Sequence, residues 1–468
     1  MNRRQFLAAG AAALGSFALP RPVVAQRKPN VVLVLIDDLG WKDLGCYGGA
    51  HFETPVIDRL ARDGLRFTQA YANCPVCSPT RAALMTGKNP ARLGFTGHIT
   101  ATGSHRWPEA GRIIPPQDHM YLPHEEVTIA EMLKAKGYVS ASVGKWHLGG
   151  EGYWPEDQGF DANIGGWTHG SPPSYHYPYE NPEKEWNASI PTLKPGREGQ
   201  YLTDRLTDDA IAFIQDNKDK PFFLYLTHYA VHTPLEAPKD LVLKHRSKFA
   251  GKDIPIVPAY AAMVENMDGN VGRVLDTLKE LDLEEDTFVI FTSDNGGLAS
   301  SAGQAPLRAG KGTLYEGGLR IPLILKWPGR IPPGTTTDQV SMSTDLFPTI
   351  DALTGTDPTQ AESSDGHDLS PLWKGQPSIE RKPQVWYYPH YHSVSMRPGA
   401  AIRKGNFKLI ETYDPVDLEL YDLDADLSET TNLADRMPEK AAELLGELHA
   451  YLDTVCKVRH TLNPAYEA

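Results

Sequence analysis

The stretch Val31-Val32-Leu33-Val34-Leu35-Ile36, followed directly by Asp37-Asp38, decides the fold of this 468-residue chain. Its six residues are all aliphatic, four of them are β-branched, and no polar side chain alternates with them. A strand with one face in water would show such alternation. The pattern therefore predicts a strand that is buried on both faces, as in the middle of a parallel sheet.

Similar apolar runs recur along the chain, and helical patterns separate them. We expect further strands at 139–143, 222–226, 288–292 and 322–326, and helices at 127–136, 204–215 and 260–281. This alternation predicts an α/β fold, a large and mostly parallel sheet flanked by helices. In such folds ligands bind beyond the carboxyl ends of the strands, so we expect the functional site there, walled by loops at 96–125 and 148–200.

The first 25 residues have the pattern of an export signal. Arg3-Arg4 precedes an apolar, Ala-rich run at 6–19 that is too short to span a bilayer, and small or modest side chains follow at 23–25. This predicts a twin-arginine signal peptide over 1–25, with the twin-arginine translocase as a partner and a periplasmic or secreted location. Since no later run approaches about 18 apolar residues, we expect no membrane insertion of the mature chain.

The remaining chain is predicted to divide into a large domain at 26–370 and a C-terminal α+β subdomain at 371–468. Pro, Ser, Gly and charged residues concentrate at 355–382, as is typical of a boundary. Beyond it, the runs at 401–410 and 418–423 predict strands of a small antiparallel sheet, and 440–452 predicts an amphipathic closing helix.

Composition excludes several classes of protein. With 41% hydrophobic and 22% charged residues the chain is neither disordered nor fibrous. Its 46 Lys plus Arg against 59 Asp plus Glu give a net charge of −13, without a long basic block, which argues against nucleic acid as a partner. An anionic ligand would need a local cluster of cations. Four cysteines are too few for a disulfide scaffold or a four-thiolate zinc site.

Two polar pairs follow predicted strands. Asp37-Asp38 comes directly after the first strand, and Asp294-Asn295 follows the strand at 288–292 after one serine. Four oxygen-bearing side chains at one sheet edge suit a hard divalent cation such as Ca²⁺ or Mg²⁺. Either pair taken alone is equally typical of a turn or a helix cap.

Between these pairs lies Cys74-Pro-Val-Cys77-Ser78-Pro79-Thr80-Arg81, and Gly87 follows six residues later. Pro79 fits the first position of a helix and Gly87 its C-terminal cap, so we expect Cys77 just before a short helix. A helix N-terminus attracts an anion and lowers the pKa of a thiol. The alternative interpretation is a redox pair formed by Cys74 and Cys77.

The segment from Cys77 to Arg81, followed by Leu84-Met85-Thr86-Gly87, resembles the signature of the type I sulfatases of the alkaline phosphatase superfamily. In that family the cysteine is oxidised after synthesis to formylglycine, which would make a formylglycine-generating enzyme a partner in maturation. The resemblance extends in order over most of the chain, through Gly144–Gly149, His232–Pro234, Asp294–Gly296, Gly310–Gly318 and the Leu-Tyr-Asp-Leu run at 420–423.

The resemblance implies a role for each matching residue. One Ca²⁺ would be bound by Asp37, Asp38, Asp294, Asn295 and the modified residue 77. Arg81 would hold the formylglycine hydrate, and His147 would contact its second hydroxyl. Lys145 and Lys311 would grip the sulfate oxygens, and His232 would donate a proton to the leaving alcohol. Outside this pattern, such lysines and histidines are more often solvated or structural.

The implied activity is that of a sulfuric ester hydrolase, with residues 26–370 as its catalytic domain. The chain is similar to exported bacterial sulfatases that act on glycans and often on aryl sulfates. Aromatic side chains in the loops and near residue 390 fit a carbohydrate pocket, although they could simply pack the loops: Trp167, His169, Tyr175, His176, Tyr177, Trp386, His390 and His392.

Two other functions stay open on sequence grounds. Phosphonate and phosphate ester hydrolases of the same superfamily share the Cys-x-Pro-x-Arg core, but they resemble each other in having Asp-His where this chain has Asp294-Asn295. A non-catalytic sulfoglycan-binding protein is the second alternative, and it would require that Cys77 remain an unmodified thiol.

Overall fold

The computed structural model describes residues 28–100, 107–355, 363–391 and 397–467, so the predicted signal peptide lies outside the described residues. The strands are β1 Asn30–Ile36, β2 Leu65–Tyr71, β3 Ile113–Ile114, β4 Val139–Gly144, β5 Ala162–Ile164, β6 Phe222–His228, β7 Thr287–Ser293, β8 Arg320–Lys326, β9 Thr335–Thr337, β10 Ser341–Met342, β11 Gln384–Tyr388, β12 Gly399–Lys404, β13 Phe407–Tyr413, β14 Val416–Asp422 and β15 Thr461–Leu462.

The α-helices are α1 Pro55–Arg62, α2 Cys77–Thr86, α3 Pro90–Leu93, α4 Ile129–Ala135, α5 Leu202–Asn217, α6 Lys239–Phe249, α7 Pro258–Glu280, α8 Glu316–Leu319, α9 Leu346–Thr354, α10 Ser370–Trp373 and α11 Pro438–Val455. Short 3-10 turns lie at Gly45–Tyr47, Pro155–Gln158, Glu185–Asn187 and Ser343–Asp345. Within the described ranges, none of the helices combines the length and the apolar composition that crossing a bilayer requires.

The large sheet confirms the predicted α/β class. Its strand order is β10-β2-β8-β7-β1-β6-β4-β5, with β9 beside β2. Strand β1 runs parallel to both of its neighbours, β6 and β7, and β4 runs parallel to β5 and β6. The two longest irregular stretches of the sequence, around 96–125 and 148–200, contribute only short strands and 3-10 turns.

Strand β8 is the antiparallel member of the central part of this mostly parallel sheet. It pairs antiparallel with both β2 and β7. Between β7 and β8 the chain forms only the four-residue helix α8. Since a parallel return needs a crossover that is usually a longer helix, the chain instead folds back antiparallel. Strand β2 was not predicted, because Arg66, Thr68 and Gln69 interrupt its apolar residues.

The central strand has a hydrophobic core on each face. Val32, Val34 and Ile36 face the core that helices α1, α5 and α7 complete. The alternate residues of β1 face a second core, completed by α2, α4 and α9. Every residue of β1 is buried. Burial of each such aliphatic side chain stabilises the fold by about 1.5–3 kcal/mol, which explains the unbroken apolar run.

The C-terminal strands form the predicted small antiparallel sheet with a closing helix. The order is β11-β12-β13-β14, and helix α11 covers one face of the sheet through Leu444, Leu448 and Leu452. The run at 401–410, predicted as one strand, is a hairpin, because the chain turns at Gly405 with φ +63° and Lys404 pairs with Phe407. The proposed domain boundary at 370 stays a prediction.

A buried ion cluster joins this small sheet to the loop that carries Lys311. The Lys408 ammonium of β13 lies 2.9 Å from carboxylate oxygens of both Glu316 and Glu429, and all three side chains have 0% exposure. The Tyr71 hydroxyl donates to Glu316 at 2.7 Å. The C-terminal sheet therefore helps to fix the segment 310–316 beside the large sheet.

Candidate active site

The polar pairs predicted at the strand ends meet at the carboxyl edge of the large sheet. Asp37 and Asp38 follow β1, and Asp294 and Asn295 follow the neighbouring strand β7. The Asp38 backbone N–H donates to Asp294 Oδ1 at 3.2 Å, and Asn295 Nδ2 donates to Asp38 Oδ1 at 2.8 Å. All four residues are buried. The parallel pairing of β1 with β7 is what brings residues 256 positions apart into contact.

Helix α2 presents Cys77 to these carboxylates. Cys77 is the first residue of the helix rather than the residue before it, and Gly87 is the C-terminal cap, as predicted. The Cys77 thiol lies 3.6 Å from Asp37 Oδ1. Unpaired backbone N–H groups of the first turn make this end of the helix positive, which suits an anion next to residue 77.

The hydroxyls of the motif hold the segment around Cys77 in place. Thr80 Oγ1 accepts from the Cys74 backbone N–H at 3.0 Å and donates to the Cys74 carbonyl at 2.9 Å. Ser78 Oγ accepts from the Ile99 N–H at 3.1 Å. Cys74 and Cys77 are both free thiols. The structure therefore has no disulfide bond between Cys74 and Cys77.

Arg81 lies fully buried beneath the site. Its Nε donates to Asp294 Oδ2 at 2.8 Å, and Nη1 donates to the Lys145 carbonyl at 3.0 Å and to Thr227 Oγ1 at 2.6 Å. Nη2 lies 3.8 Å from Asp37 Oδ1 and is buried without a hydrogen-bond acceptor among the described atoms. The guanidinium is thus fixed by three bonds, with one N–H edge left for a ligand.

Two lysines reach the same carboxylates. Lys145, directly after β4, places Nζ 2.7 Å from Asp37 Oδ2, and both side chains have 0% exposure. Lys311 Nζ lies 2.7 Å from Asp38 Oδ2 and 3.4 Å from Cys77 Sγ. With Arg81, three cationic side chains therefore face the three acidic side chains of the site.

Burial and these neighbours shift the pKa values in different directions. Burial raises the pKa of Asp37 to about 8, although Lys145 opposes it. Burial also favours protonation of Asp38, but Lys311, His232 and Lys145 outweigh it and hold that pKa well below its usual range. Burial raises the pKa of the Cys77 thiol to about 12. The expected lowering of this pKa by the helix terminus is wrong, because desolvation is the larger effect.

The two predicted histidines lie on the wall of the site. His147 is buried, its Nε2 is 3.1 Å from the Ile99 carbonyl, and its Nδ1 has no described partner. Burial and Lys145 lower its pKa well below the usual range. His232 Nδ1 lies 2.8 Å from the Thr233 carbonyl, and Nε2 lies 3.6 Å from Asp38 Oδ2. In each histidine one ring nitrogen is thus held by a backbone carbonyl, which leaves the other nitrogen, Nδ1 of His147 and Nε2 of His232, for a different partner.

Two residues of the site have left-handed backbone conformations. Asp38 has φ +61° and His147 has φ +59°. For residues with a Cβ, such conformations cost on the order of 1–3 kcal/mol and concentrate at functional sites. These conformations turn the chain just after β1 and β4, so that both side chains stay at the site instead of continuing along the strand direction.

The donor set fits a hard divalent cation. Ligand atoms of Asp37, Asp38, Cys77 and His232 lie within 4.8 Å of one another. The Asn295 Oδ1 atom is buried and has no hydrogen-bond partner in the described part of the chain, although its amide nitrogen is fully engaged. A buried carbonyl oxygen without a donor suits a cation ligand. Asp294 is not part of this group of ligand atoms, and its carboxylate accepts from Arg81 Nε and from the Asp38 backbone N–H.

A cavity of about 350 Å³ opens over residue 77. The two long irregular stretches supply its walls, as predicted. Its lining consists of Asp38, Val76, Cys77, His98, Ile99, Thr100, His147, His169, Gly170, Ser171, Trp186, His232, Thr233, Leu298 and Lys311.

Most of the aromatic residues predicted to bind sugar do not reach this cavity. Tyr175, Trp386 and His390 are buried. The Tyr175 hydroxyl and the Trp386 indole N–H each donate to backbone carbonyls, and His390 lies 3.1 Å from the Asp118 carboxylate. For these three the packing alternative is correct, because their polar atoms are satisfied inside the protein.

The other predicted aromatic residues divide differently. His169 lines the cavity, and Trp167 is buried behind it in a T-shaped contact at 4.4 Å. His176 and Tyr177 do not line the cavity, and His392 lies outside the described residues.

Several residues at the site were not found from sequence. Thr227, at the end of β6, accepts from Arg81, and its strand-end position was the available signal. His98, Thr100 and Trp186 line the cavity from irregular segments. Such segments carry no periodic pattern, so only the tertiary structure identifies them.

Comparison with known proteins gives matches over nearly the whole described chain. The family described as "Sulfatase" matches residues 29–356, and the one described as "N-sulphoglucosamine sulphohydrolase, C-terminal" matches 309–457. N-acetylgalactosamine-6-sulfatase of Canis lupus familiaris is 37% identical over 82% of this chain and 72% of its own length. Arylsulfatase A of Homo sapiens is 36% identical over 84% of this chain and 76% of its own length.

Solved structures agree in fold. The structure of Ps i-CgsB, in complex with k-i-k-neocarrahexaose, has a TM-score of 0.77 at 29% identity, and the match covers 91% of this chain and 93% of that one.

Proposed function

Since this chain belongs to the sulfatase family and is a sulfuric ester hydrolase, we propose that it removes sulfate from a sulfated carbohydrate, using a formylglycine at residue 77 and one bound Ca²⁺. The observation that carries the proposal is the convergence of Cys77 with three carboxylates and three cations at one sheet edge.

Asp37, Asp38, Asp294, Asn295 and residue 77 would hold the metal. The unpartnered Asn295 Oδ1 atom supports Asn295, and the ligand atoms within 4.8 Å of one another support Asp37, Asp38 and residue 77. A bound Ca²⁺ would supply positive charge that acidifies the attacking hydroxyl of a formylglycine hydrate, whose second hydroxyl permits later release of sulfate. The geometry adds His232 as a neighbour of the same group of ligand atoms.

Lys145 and Lys311 are proposed to bind the sulfuryl oxygens. Three cationic side chains face three acidic ones, so an added divalent cation gives the site a positive charge even when all three carboxyl groups are ionised, although the protein carries −13. Both ammonium groups are positioned before substrate arrives, one at 0% and one at 9% side-chain exposure. Preorganised charge in a water-poor site stabilises the charge that develops in the transition state.

The two histidines and Arg81 are proposed to handle the hydroxyl groups. Arg81 Nη2, buried without an acceptor, would hold the hydrate. His147 Nδ1, which has no described partner, would accept the proton of the second hydroxyl. His232, at the cavity mouth with 18% side-chain exposure, would donate a proton to the leaving alcohol as the S–O bond breaks.

A carbohydrate substrate is supported by the relatives and by the cavity. N-acetylgalactosamine-6-sulfatase and the structure bound to a neocarrahexaose carry sugars in their names. The cavity combines one exposed indole with imidazole and hydroxyl groups, and its volume of about 350 Å³ is in the range of small-ligand sites. Aryl sulfates are proposed as additional substrates, as the name arylsulfatase A implies for that relative.

The maturation and export predictions remain proposals. A formylglycine-generating enzyme would act on the Cys77 motif, and the twin-arginine route would carry the folded protein to a periplasmic or secreted location. The residues that carry the export prediction, 1–25, lie outside the described ranges.

The test begins with mass spectrometry of the peptide that spans Cys77, in protein produced with and without a formylglycine-generating enzyme. Released sulfate is then measured on a panel of sulfated mono- and oligosaccharides, with 4-nitrophenyl sulfate as reference and matched phosphate esters and phosphonates as competitors. We expect formylglycine and sulfate release to rise together, and Ca²⁺ chelation to abolish the release. Full activity with an unmodified thiol would refute the proposed nucleophile. Preference for the phosphorus esters would refute the proposed substrate.

A further inference from the structure

Trp186 has a position in the cavity wall that the proposed chemistry does not use. It lies in the 3-10 turn Glu185–Asn187 and lines the cavity over residue 77. Of the large apolar side chains among the described residues of this lining, Trp186 has the greatest exposure, 52%. An indole that is half-exposed on the wall of a ligand-sized cavity offers apolar surface that a bound ligand can cover.

The wall beneath Trp186 is fixed to the active site by several contacts. The Trp186 ring packs edge-to-face on His169 at 5.4 Å, and His169 packs the same way on Trp167 at 4.4 Å. The Trp167 carbonyl accepts from the His147 backbone N–H at 3.0 Å. Two ring contacts and one backbone hydrogen bond thus connect the Trp186 indole to His147, a residue of the proposed catalytic set.

Two further features keep this wall rigid. The buried Asn187 side chain donates to the Ser171 carbonyl at 3.1 Å, which ties the turn to the segment 169–171. Gly170 packs directly on the His147 ring, where an added Cβ would come within 2.3 Å of a ring carbon. The indole is therefore presented in a set position rather than on a free loop, which lowers the entropic cost of binding a ligand on it.

The groups around Trp186 match the two kinds of surface of a pyranose ring. A sugar offers an apolar C–H face for an aromatic platform and hydroxyls at its edge. Thr233, His98 and Thr100 place hydroxyl and imidazole groups on the same lining. Burial lowers the pKa of His169, so its ring is neutral at pH 7 and adds no charge beneath the indole.

We propose that Trp186 is the stacking platform for a sugar ring of the substrate and thereby a specificity-determining residue of this enzyme. The inference rests on the proposed carbohydrate function. Trp186 contacts the alcohol portion of the substrate, whereas Lys145 and Lys311 contact the sulfuryl group common to all substrates. Its removal should therefore weaken binding of sulfated sugars without weakening binding of the anion.

The test compares Trp186→Ala and Trp186→Phe with the wild type, all confirmed by mass spectrometry to carry the same fraction of formylglycine. Trp107→Ala is the matched control, because Trp107 is also well exposed, at 39%, but does not line the cavity. The first probe is the sugar that the wild type hydrolyses best among sulfated galactose, N-acetylgalactosamine and N-acetylglucosamine. The second is 4-nitrophenyl sulfate, which reports that the enzyme is active. The third is inorganic sulfate, an inhibitor that reaches only the anion subsite.

For Trp186→Ala we expect KM for the sulfated sugar to rise about tenfold, equivalent to about 1.4 kcal/mol, with kcat changed less than about twofold. Trp186→Phe should recover most of this loss, and the inhibition constant of sulfate should not change. Trp107→Ala should match the wild type throughout.

An unchanged KM in Trp186→Ala, in an enzyme whose wild type hydrolyses the sugar, would overturn the platform and leave the proposed function intact. A parallel loss of sulfate inhibition would also overturn it, since the wall itself would then have collapsed. If the wild type hydrolyses 4-nitrophenyl sulfate but none of the sugars, the proposed carbohydrate function fails, and the platform fails with it.

Discussion

Replacement of His232 separates the departure of the alcohol from the binding of sulfate. A sugar alcohol is a poor leaving group and needs a proton as the S–O bond breaks, whereas 4-nitrophenolate leaves almost unaided. If His232 is the acid, His232→Ala should lower kcat/KM for a sulfated sugar by about 10²–10⁴-fold, the usual contribution of general acid catalysis. For 4-nitrophenyl sulfate, kcat/KM of His232→Ala should stay within about tenfold of the wild-type value.

Lys145→Ala is the contrasting variant, because its ammonium is proposed to act on the sulfuryl oxygens that both substrates share. Removal of one preorganised charged donor usually costs about 10²–10³-fold in kcat. We therefore expect losses of similar size on the sugar and on the aryl sulfate. The ratio of the two losses, rather than either loss alone, distinguishes the roles of the two residues.

The structure also predicts different effects of the two variants on stability. The Lys145–Asp37 pair is fully buried at 2.7 Å, so loss of the lysine leaves Asp37 with only the Arg81 guanidinium at 3.8 Å and should cost up to about 3–5 kcal/mol of unfolding free energy. His232 is 18% exposed and lies 3.6 Å from Asp38, so its removal should cost less than about 1 kcal/mol. Thermal unfolding scans of both variants therefore accompany the kinetics.

The assay is kcat/KM of both variants on both substrates, at a temperature at which the thermal scans show the wild type and both variants to be folded. Equal losses for His232→Ala on the two substrates would refute its role as the acid. It would then be an anion-binding residue, and the acid would have to be sought in Lys311 or His147.

Three further predictions follow from individual contacts. Cys77→Ala should fold normally and lose at least about 10³-fold in turnover, because it removes the nucleophile; sulfate release within tenfold of the wild type would contradict this. Asp294→Ala should lose most activity with little rescue by added Ca²⁺, since it also leaves the buried Arg81 without its 2.8 Å partner; a variant and a chelated wild type that both remain active would contradict the metal site. Burial lowers the pKa of His228 from 6.5 to about 3, so below pH 6.5 the unfolded chain binds more protons than the folded one. The free energy of unfolding should therefore fall as the pH drops from 6.5 towards 3, by up to about 1.4 kcal/mol per pH unit. In His228→Gln this loss, measured by urea unfolding, should be smaller, and an identical pH dependence would contradict the assignment to His228.

Local sequence alone determined the central strand and the class of fold. The unbroken run at 31–36 requires two apolar faces, and only a sheet covered by helices on both sides supplies them. Strand-end positions likewise placed Asp37, Asp38 and Asp294 at one edge, because the carboxyl ends of parallel strands coincide there. The Cys77 motif and its resemblance led to the family that the comparisons establish.

Only the tertiary structure decided the direction of β8 and the sign of the Cys77 pKa shift. Each depends on contacts between distant segments: a strand takes its direction from the available return path, and a thiol takes its pKa from the water excluded by its neighbours. The same holds for the cavity wall. Trp386 and Trp186 are alike as residues in a sequence, yet one is buried against the large sheet and the other lines the cavity, because burial is a property of the packed chain and not of the residue type.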